Sequence, residues 1–352
     1  MSESPRAAVK RLLQALAGEP VWPPPIWLMR QAGRYLPEYR AVRARVKDFI
    51  ALATTPELAA EVTLQPIRRF QMDGAILFSD ILMVPWALGQ GLSFREGEGP
   101  VLPPLRDADG VAALQPDRLI GRLEPVFETA RQVRRMLQSE GLGETSLIGF
   151  AGAPFTVACY MIEGGGSRDF AATRLMAFND PDLFSRLLSI VAAATIAYLS
   201  AQIAAGAEAV MLFDSWAGVL SARQFRAHVI QATREVVTGL RQRHPGVPVI
   251  GFPRLAGMLI GDYVQGTGID AVGVDTGMDL ALVRSALPPR VVLQGNLDPI
   301  ALVAGGSALE QETLSVLDGM RGWPCVFNLG HGIVPQTPPA HVGRLVELVR
   351  AG

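Results

Sequence analysis

The sequence has 352 residues, 49% of them hydrophobic, which is enough for one large domain or two ordinary ones. Its 32 Lys and Arg residues nearly balance 33 Asp and Glu residues, and the formal net charge of -1 excludes the global positive field typical of proteins that bind nucleic acid or anionic membranes. An acidic ligand would therefore need a local basic site. The two cysteines, Cys159 and Cys325, lie far apart in apolar stretches, which argues against a disulfide framework or a Cys-rich metal site and favours a reducing cytoplasm.

Two stretches of the sequence are candidates for a secretory signal and for a membrane span. The first twenty residues carry scattered charges and only a short apolar run, so no secretory signal is expected. The Ala-rich stretch 191–213 approaches membrane-span length, but polar residues interrupt it and Gly206 divides it. We expect a buried helix that runs into a strand, and no membrane partner.

Short runs rich in apolar and β-prone residues recur along the chain and predict buried parallel strands. Seven are clear and an eighth is weaker; in chain order they cover 26–29 (the weaker one), 74–78, 147–150, 209–213, 248–252, 271–274, 291–294 and 325–329. Segments with helical periodicity separate them, for example 182–205, 222–243 and 280–286. This alternation predicts an α/β protein, and eight strands favour a (β/α)8 barrel of the TIM type, with residues 1–352 as a single domain, over an open doubly wound sheet. The glycines of 164–166 follow a helix-like segment and lack a phosphate-loop lysine, which disfavours a nucleotide fold.

In such a barrel the side chains that follow the strands converge on one mouth. Polar or charged residues occupy many of these positions: Ser79, Asp80, Asp214, Ser215, Arg254, Asp275, Asn296 and His331. Pro253 precedes Arg254 after the same strand. Turn formation and helix capping explain any one of them about as well as catalysis does.

A second candidate feature is an arginine-rich segment near the N-terminus. Arg30 and Arg34 lie four residues apart, and Arg40, Arg43 and Arg45 follow. If the segment is helical, several of these arginines lie close together; Gly33 and Pro37 make a looped backbone with inward-facing arginines an alternative. Guanidinium groups suit bidentate binding of carboxylates, whereas a solvated basic face suits the later arginines better than the first two.

Several motifs together resemble the uroporphyrinogen decarboxylase family, and they span nearly the whole chain. They are Met-Arg-Gln-Ala-Gly-Arg-Tyr-Leu-Pro-Glu at 29–38, Phe-Ser-Asp-Ile-Leu at 78–82, Gly-Phe-Ala-Gly-Ala-Pro-Phe-Thr at 149–156, Tyr-Met-Ile-Glu-Gly-Gly at 160–165, Gln-Gly-Asn-Leu-Asp-Pro at 294–299 and Leu-Gly-His-Gly-Ile at 329–333. The resemblance implies a distorted (β/α)8 barrel that works as a homodimer. It also implies conversion of uroporphyrinogen III to coproporphyrinogen III and carbon dioxide in haem biosynthesis, without metal or organic cofactor.

The resemblance also implies a set of site residues. Carried over by motif, the substrate-binding residues are Arg30, Gln31, Ala32, Gly33, Arg34, Asp80, Tyr160, Ser215 and His331. Ser215 has the least distinctive context, Phe-Asp-Ser-Trp-Ala-Gly at 213–218. We expect Asp80, Arg30, Tyr160 and His331 to take part in catalysis.

The chemistry of the implied decarboxylation indicates why the site needs a carboxylate. Protonating a pyrrole carbon makes the substrate its own electron sink, and one carboxylate accepting hydrogen bonds from the pyrrole N–H groups would stabilise the cationic ring in a partly dry pocket. Asp80 is the candidate, and it must stay ionised. Tyr160 and His331 could orient carboxylates, with His331 titrating near neutrality, and no general acid is assigned.

Two rival functions are considered. A corrinoid-related methyltransferase of the same superfamily would need zinc ligands and is disfavoured, because the sequence has no His-x-Cys pair. A non-catalytic tetrapyrrole carrier could use the same arginines and Asp80.

Overall fold

The computed structural model describes residues 10–95 and 99–352. Its main element is a curled sheet of seven parallel strands in the order β1, β4, β5, β6, β7, β8 and β9, with a separate two-stranded antiparallel ribbon, β2–β3. The strands are β1 (Gly74–Ile76), β2 (Ser93–Arg95), β3 (Gly99–Val101), β4 (Ser146–Gly152), β5 (Ala209–Asp214), β6 (Val249–Pro253), β7 (Ala271–Gly273), β8 (Val292–Leu297) and β9 (Cys325–Leu329). All seven clear strands predicted from the sequence are confirmed, and so is the α/β barrel class.

Helices alternate with the strands and form the outer layer. The α-helices are α1 (Arg11–Leu16), α2 (Pro37–Arg43), α3 (Phe49–Ala53), α4 (Pro56–Phe70), α5 (Met83–Ala87), α6 (Ala108–Ala112), α7 (Leu119–Ser139), α8 (Pro154–Glu163), α9 (Ala171–Asn179), α10 (Pro181–Ala204), α11 (Ala222–Gln224), α12 (Gln231–Arg243), α13 (Ile260–Thr267), α14 (Leu280–Ala286), α15 (Pro299–Ala304), α16 (Gly306–Met320) and α17 (Pro339–Ala351). A π-helical turn, Phe225–Ile230, joins α11 to α12, so the predicted helix 222–243 is one continuous segment with an irregular centre. Short 3-10 helices cover Pro116–Arg118, Ala217–Val219 and Gly257–Leu259.

The predicted eighth strand at 26–29 occupies its expected place but is not a regular strand. Ile26 makes one isolated parallel bridge with Phe327 of β9, and the N–H of Asp73, just before β1, donates to the Ile26 carbonyl at 2.9 Å. Side chains replace ladder partners here, since the carboxylate of Asp73 accepts from the Ile26 N–H and the amide oxygen of Asn328 accepts from the Met29 N–H. The prolines that precede Ile26 have no N–H to extend a ladder. This segment stands between β9 and β1 and gives the barrel its distorted closure.

The strands bury both faces. Alternate residues divide between two apolar clusters, so that Met211 packs inside the barrel while Leu212 packs against the helices. Leu12 and Leu16 of α1 belong to the inner cluster and cover the N-terminal end of the strands. The interior is therefore a packed core, and only the opposite end can open into a site.

Helix α10 combines unusual length with apolar composition. Among the described residues, it is the one helix long and apolar enough to cross a membrane, and half of its most apolar window is buried inside the protein. It packs against α7, α8, α12 and β4 as a barrel helix. The prediction that 191–213 is a buried helix leading into a strand is confirmed, with the helix ending at Ala204 and β5 starting at Ala209.

Candidate active site

The C-terminal ends of the strands form a mouth with an aromatic floor. Phe150, Phe213 and Phe252 are the last inward-facing side chains of β4, β5 and β6, and the ring of Phe213 meets the other two edge-on at centroid distances of 5.5 and 6.3 Å. Phe213 is only half-buried, whereas Phe150 and Phe252 are buried. An apolar floor keeps water away from charged groups above it and strengthens their interactions.

The segment that carries Arg30 and Arg34 is a loop and not a helix, which is the second of the two alternatives that the sequence left open. Residues 29–36 form turns, and α2 begins at Pro37, which occupies the first helical turn where its missing N–H costs nothing. Arg30 has a left-handed φ of 60° and is exposed at the mouth. A Cβ on Gly332 would collide with the Arg30 side chain, so glycine at 332 is what lets this arginine lie across the β9 loop.

Within this loop, Gln31 serves the wall of the barrel. Its side chain is fully buried, donates to the Gly74 carbonyl at 3.0 Å and accepts from the Leu28 N–H at 3.0 Å. The side-chain amide is therefore not offered to a ligand. The N–H groups of Ala32, Gly33 and Arg34 have no acceptor among the described residues, so the loop presents main-chain donors beside its guanidinium groups.

The later arginines support the backbone instead. Arg40 donates to the Arg34 carbonyl at 2.8 Å, and Arg43 donates to the Val46 carbonyl at 3.0 Å. Arg45 is exposed. This agrees with the interpretation that these three suit a solvated face better than a binding site.

Asp80 lies in the loop that follows β1 and leads into α5. Its Oδ1 accepts from the Leu82 N–H at 2.8 Å. Burial raises the pKa of Asp80 to about 6, while the Leu82 N–H and the charge of Arg30 act in the opposite direction. The carboxylate is therefore mostly ionised at neutral pH, as a counter-ion must be, and Arg30 lies close enough to influence it.

Tyr160 reaches the same mouth from α8. Its pKa is raised chiefly by burial, and the neighbouring charge of Asp80 raises it further. Its ring packs against Trp216 at a centroid distance of 6.1 Å. Tyr160 is thus a neutral hydroxyl that can donate or accept near Asp80.

Asp214 was one of the strand-end candidates, and the structure gives it a scaffold position. It is fully buried, and its Oδ1 accepts a hydrogen bond from the Thr156 hydroxyl at 2.6 Å. The Thr156 hydroxyl in turn accepts from the main-chain N–H of Trp216 at 3.0 Å. Burial raises the pKa of Asp214 to about 7. The chain of hydrogen bonds ties β5 to α8 and so supports the helix that carries Tyr160.

His331 follows β9 and differs from expectation in its protonation. Burial and the nearby charges of Arg254 and Arg30 lower its pKa to about 4, so the prediction that it titrates near neutrality is wrong. Its Nδ1 accepts from the Gly332 N–H at 2.7 Å, which leaves the proton on Nε2. The neutral ring can therefore donate one hydrogen bond into the mouth.

The remaining candidates are less closely linked. Ser215 is half-buried at the end of β5, and Arg34 is exposed with its charge acting on Tyr39. Asp275 and Asn296 stabilise turns, since Asp275 accepts from the Leu255 and Gly277 N–H groups and Asn296 donates to the carbonyls of Asp275 and Met278. The charge of Arg30 acts on Asp80, Tyr160 and His331, and the charge of Asp80 acts on Tyr160. Arg254, which the sequence offered only as one strand-end residue among several, also acts on His331 through its charge.

Comparisons with known proteins identify the family. The family model described as Uroporphyrinogen decarboxylase (URO-D) matches residues 8–352. The chain belongs to the uroporphyrinogen decarboxylase family. It is 58% identical over 341 residues to uroporphyrinogen decarboxylase of Granulibacter bethesdensis, covering 97% of this chain and 99% of the relative, and 57% identical to that of Gluconacetobacter diazotrophicus, covering 97% and 98%.

Solved structures show the same fold at low identity. A methyltransferase from Methanosarcina mazei superposes with a TM-score of 0.76 at 21% identity, covering 97% of each chain. A putative vitamin-B12 independent methionine synthase from Listeria monocytogenes superposes with a TM-score of 0.53 at 10% identity, covering 93% of this chain and 96% of the other. Within 10–95 and 99–352, no group of three His, Cys, Asp or Glu side chains is placed to hold a metal ion. This chain thus shares its barrel fold with these two proteins.

Proposed function

We propose that this chain removes the four acetate carboxylates of uroporphyrinogen III as carbon dioxide and yields coproporphyrinogen III, without metal or organic cofactor. The observation that carries the proposal is membership of the uroporphyrinogen decarboxylase family over residues 8–352, together with an ionised carboxylate, Asp80, at the same end of the barrel as the apolar floor. The tetrapyrrole itself has eight carboxylates, and the mouth supplies cations and free N–H groups.

Asp80 is the group assigned to the reacting ring. Protonation of a pyrrole carbon produces a cation, and cleavage of the bond to the acetate carboxylate supplies the electron pair that neutralises it. The exocyclic carbon then takes up a proton, and the ring carbon returns the proton it had gained, so one proton is consumed for each carbon dioxide. An ionised carboxylate over an apolar floor stabilises the cationic stages more strongly than water would.

The other groups of the mouth hold carboxylates. Arg30 and Arg34 supply planar guanidinium forks, and the N–H groups of Ala32 and Gly33 supply further donors between them. In this scheme the loop 30–34 acts as a unit, and Gln31 contributes by fixing that loop to β1.

Three further side chains complete the proposed site. Tyr160 and His331 each present a neutral donor, and Ser215 adds a hydroxyl at the end of β5. A neutral His331 suits donation to a substrate carboxylate through Nε2. Arg30, Asp80, Tyr160 and His331 are the residues assigned to catalysis.

Anaerobic incubation with freshly reduced uroporphyrinogen tests the proposal. The chelator-treated protein should yield porphyrins with seven, six, five and finally four carboxylates after oxidation and chromatography. Binding of the tetrapyrrole without these products would support a carrier instead. Methyl transfer to a thiol that depends on added zinc would support the methyltransferase alternative.

We also propose a homodimer that acts in the cytoplasm, on the family resemblance. Leu255 and Met258, in the loop after β6, are 57% and 93% exposed, and such apolar side chains suit coverage by a second copy. A sedimentation mass equal to two chains is expected. A mass equal to one chain at assay concentration would contradict the dimer.

A further inference from the structure

Arg254 stands out among the cationic side chains by its burial. Several arginines and lysines in the part of the chain that the structure describes have no hydrogen-bond or ion-pair acceptor, and all of them are exposed except Arg254, which is half-buried. Partial burial of a charge costs free energy unless an acceptor compensates it. Residues 10–95 and 99–352 therefore supply no partner for the Arg254 guanidinium.

The main chain around Arg254 is fixed on both sides. Its N–H donates to the Asp214 carbonyl at 3.1 Å, and its carbonyl accepts from the Gly218 N–H at 3.1 Å. The next residue, Leu255, has a left-handed φ of 59°, and its N–H is held by the Asp275 carboxylate at 2.8 Å. Left-handed backbone is unfavourable for leucine, so the protein spends stability on holding this turn. The side chain of Arg254 thus projects from a rigid base.

The position of Arg254 lies across the mouth from the arginine loop. Counting segment 25–29 as the first position of the barrel, β6 is the fifth of eight, so the end of β6 is diametrically opposite Arg30. Arg254 and His331 both directly follow the C-terminal ends of their strands, β6 and β9, and the charge of Arg254 lowers the pKa of His331.

We infer that Arg254 binds a carboxylate of the substrate on the side of the ring opposite the loop 30–34. This inference rests on the proposed function, because a tetrapyrrole carries carboxylates around its whole rim. Cations on one wall alone would leave the far rim without a partner. Arg254 supplies that partner, and the substrate in turn compensates its half-buried charge.

Arg254→Gln is the test, with Arg254→Lys to keep the charge without the planar fork and Arg290→Gln as the control. Arg290 is exposed, has no acceptor among the described residues and lies just before β8 at the other end of the barrel. Loss of a charged hydrogen bond should raise the KM for uroporphyrinogen about 10- to 100-fold in Arg254→Gln. Arg254→Lys should lie between this variant and the wild type, and Arg290→Gln should match the wild type.

Thermal unfolding separates ligand binding from a scaffold role. Since the guanidinium makes no hydrogen bond or ion pair with the residues that the structure describes, Arg254→Gln should unfold at the wild-type temperature or above it. If Arg254→Gln has the wild-type KM, whether or not its unfolding temperature falls, the inference is overturned. The proposed function still stands in that case, provided that the wild-type protein is active. If the wild type releases no carbon dioxide, the proposed function fails. The inference is then judged by anaerobic ultrafiltration with uroporphyrinogen, where weaker binding by Arg254→Gln upholds it and equal binding overturns it.

Discussion

The two ends of the barrel differ in whether their charged side chains have partners within the protein. At the N-terminal end, Glu208 accepts from Lys10 at 2.9 Å, from Arg134 at 2.7 Å and from the first free N–H of β4, that of Leu147, at 3.0 Å. Asp270 likewise pairs with Arg241 and accepts from the Val249 N–H that begins β6. Each of these two carboxylates binds a cation and a main-chain N–H at the start of a strand.

The C-terminal end leaves its charges without partners. Arg30, Arg34 and Arg254 have no acceptor among residues 10–95 and 99–352, and Asp80 is held by one N–H and has its pKa raised by burial. Two left-handed non-glycine residues, Arg30 and Leu255, also lie here. Compensated charges stabilise the fold, whereas uncompensated charges and strain cost stability and are retained where a ligand uses them. The central claim is that one carboxylate and a surrounding set of cations suffice for the chemistry.

The largest expected effect is the loss of turnover in Asp80→Asn. Asparagine keeps the oxygen that accepts from the Leu82 N–H but cannot stabilise a cationic ring, so kcat should fall about 100- to 1,000-fold. Because the pKa of Asp80 in the folded protein is raised to about 6, its ionised form opposes folding above that pH, and the variant should be at least as stable as the wild type at pH 8. Stopped anaerobic assays and thermal unfolding measure both. A rate close to that of the wild type would remove Asp80 from its assigned role.

Glu208→Gln should show the reverse pattern. Two cations and the Leu147 N–H meet at Glu208 Oε2, so we expect a loss of about 1–3 kcal/mol in the free energy of unfolding with unchanged KM. Glu347→Gln is the matched control, because its pair with Arg344 is exposed to solvent and its removal should leave the free energy of unfolding nearly unchanged. Denaturant titration gives these values. A catalytic defect in Glu208→Gln without loss of stability would break the contrast between the two ends.

Arg30→Lys keeps a positive charge at the mouth but removes the planar fork. We expect the KM for uroporphyrinogen to rise about tenfold, with a smaller change in kcat. Arg45→Lys, on the exposed segment after α2, is the control and should leave both constants unchanged. Unchanged Michaelis parameters in Arg30→Lys would count against the carboxylate site.

The pH profile carries the smallest expected effect. Since Asp80 must be ionised and its pKa is about 6, kcat/KM should fall as the pH drops through about 6. The charge of Arg30 lowers that pKa, so in Arg30→Gln the acid limb should move to higher pH. A limb that stays in place in this variant would show that another group controls it.

The sequence predicts the repeating parts of the molecule well and the exceptional parts poorly. Strands such as 209–213 follow from apolar runs, and the mouth follows from where strands end. Segment 26–29 could not be predicted as irregular, because side chains of Asp73 and Asn328, distant in sequence, replace its ladder. The protonation of His331 depends on arginines from two other loops. The burial of the Gln31 amide depends on its hydrogen bond to the Gly74 carbonyl. Neither property can be predicted from the local sequence pattern. Arg254 was visible as a strand-end residue, but its importance comes from burial without a partner.

Whether the residues of this chain suffice for the reaction is best tested by measuring the carbon dioxide released per tetrapyrrole, with chelator-treated wild-type protein in excess over uroporphyrinogen under anaerobic conditions. We expect four carbon dioxide molecules for each tetrapyrrole, with coproporphyrinogen as the final tetrapyrrole and no dependence on added metal or cofactor. Release that begins only when a metal or organic cofactor is added, or no release at all, would contradict it.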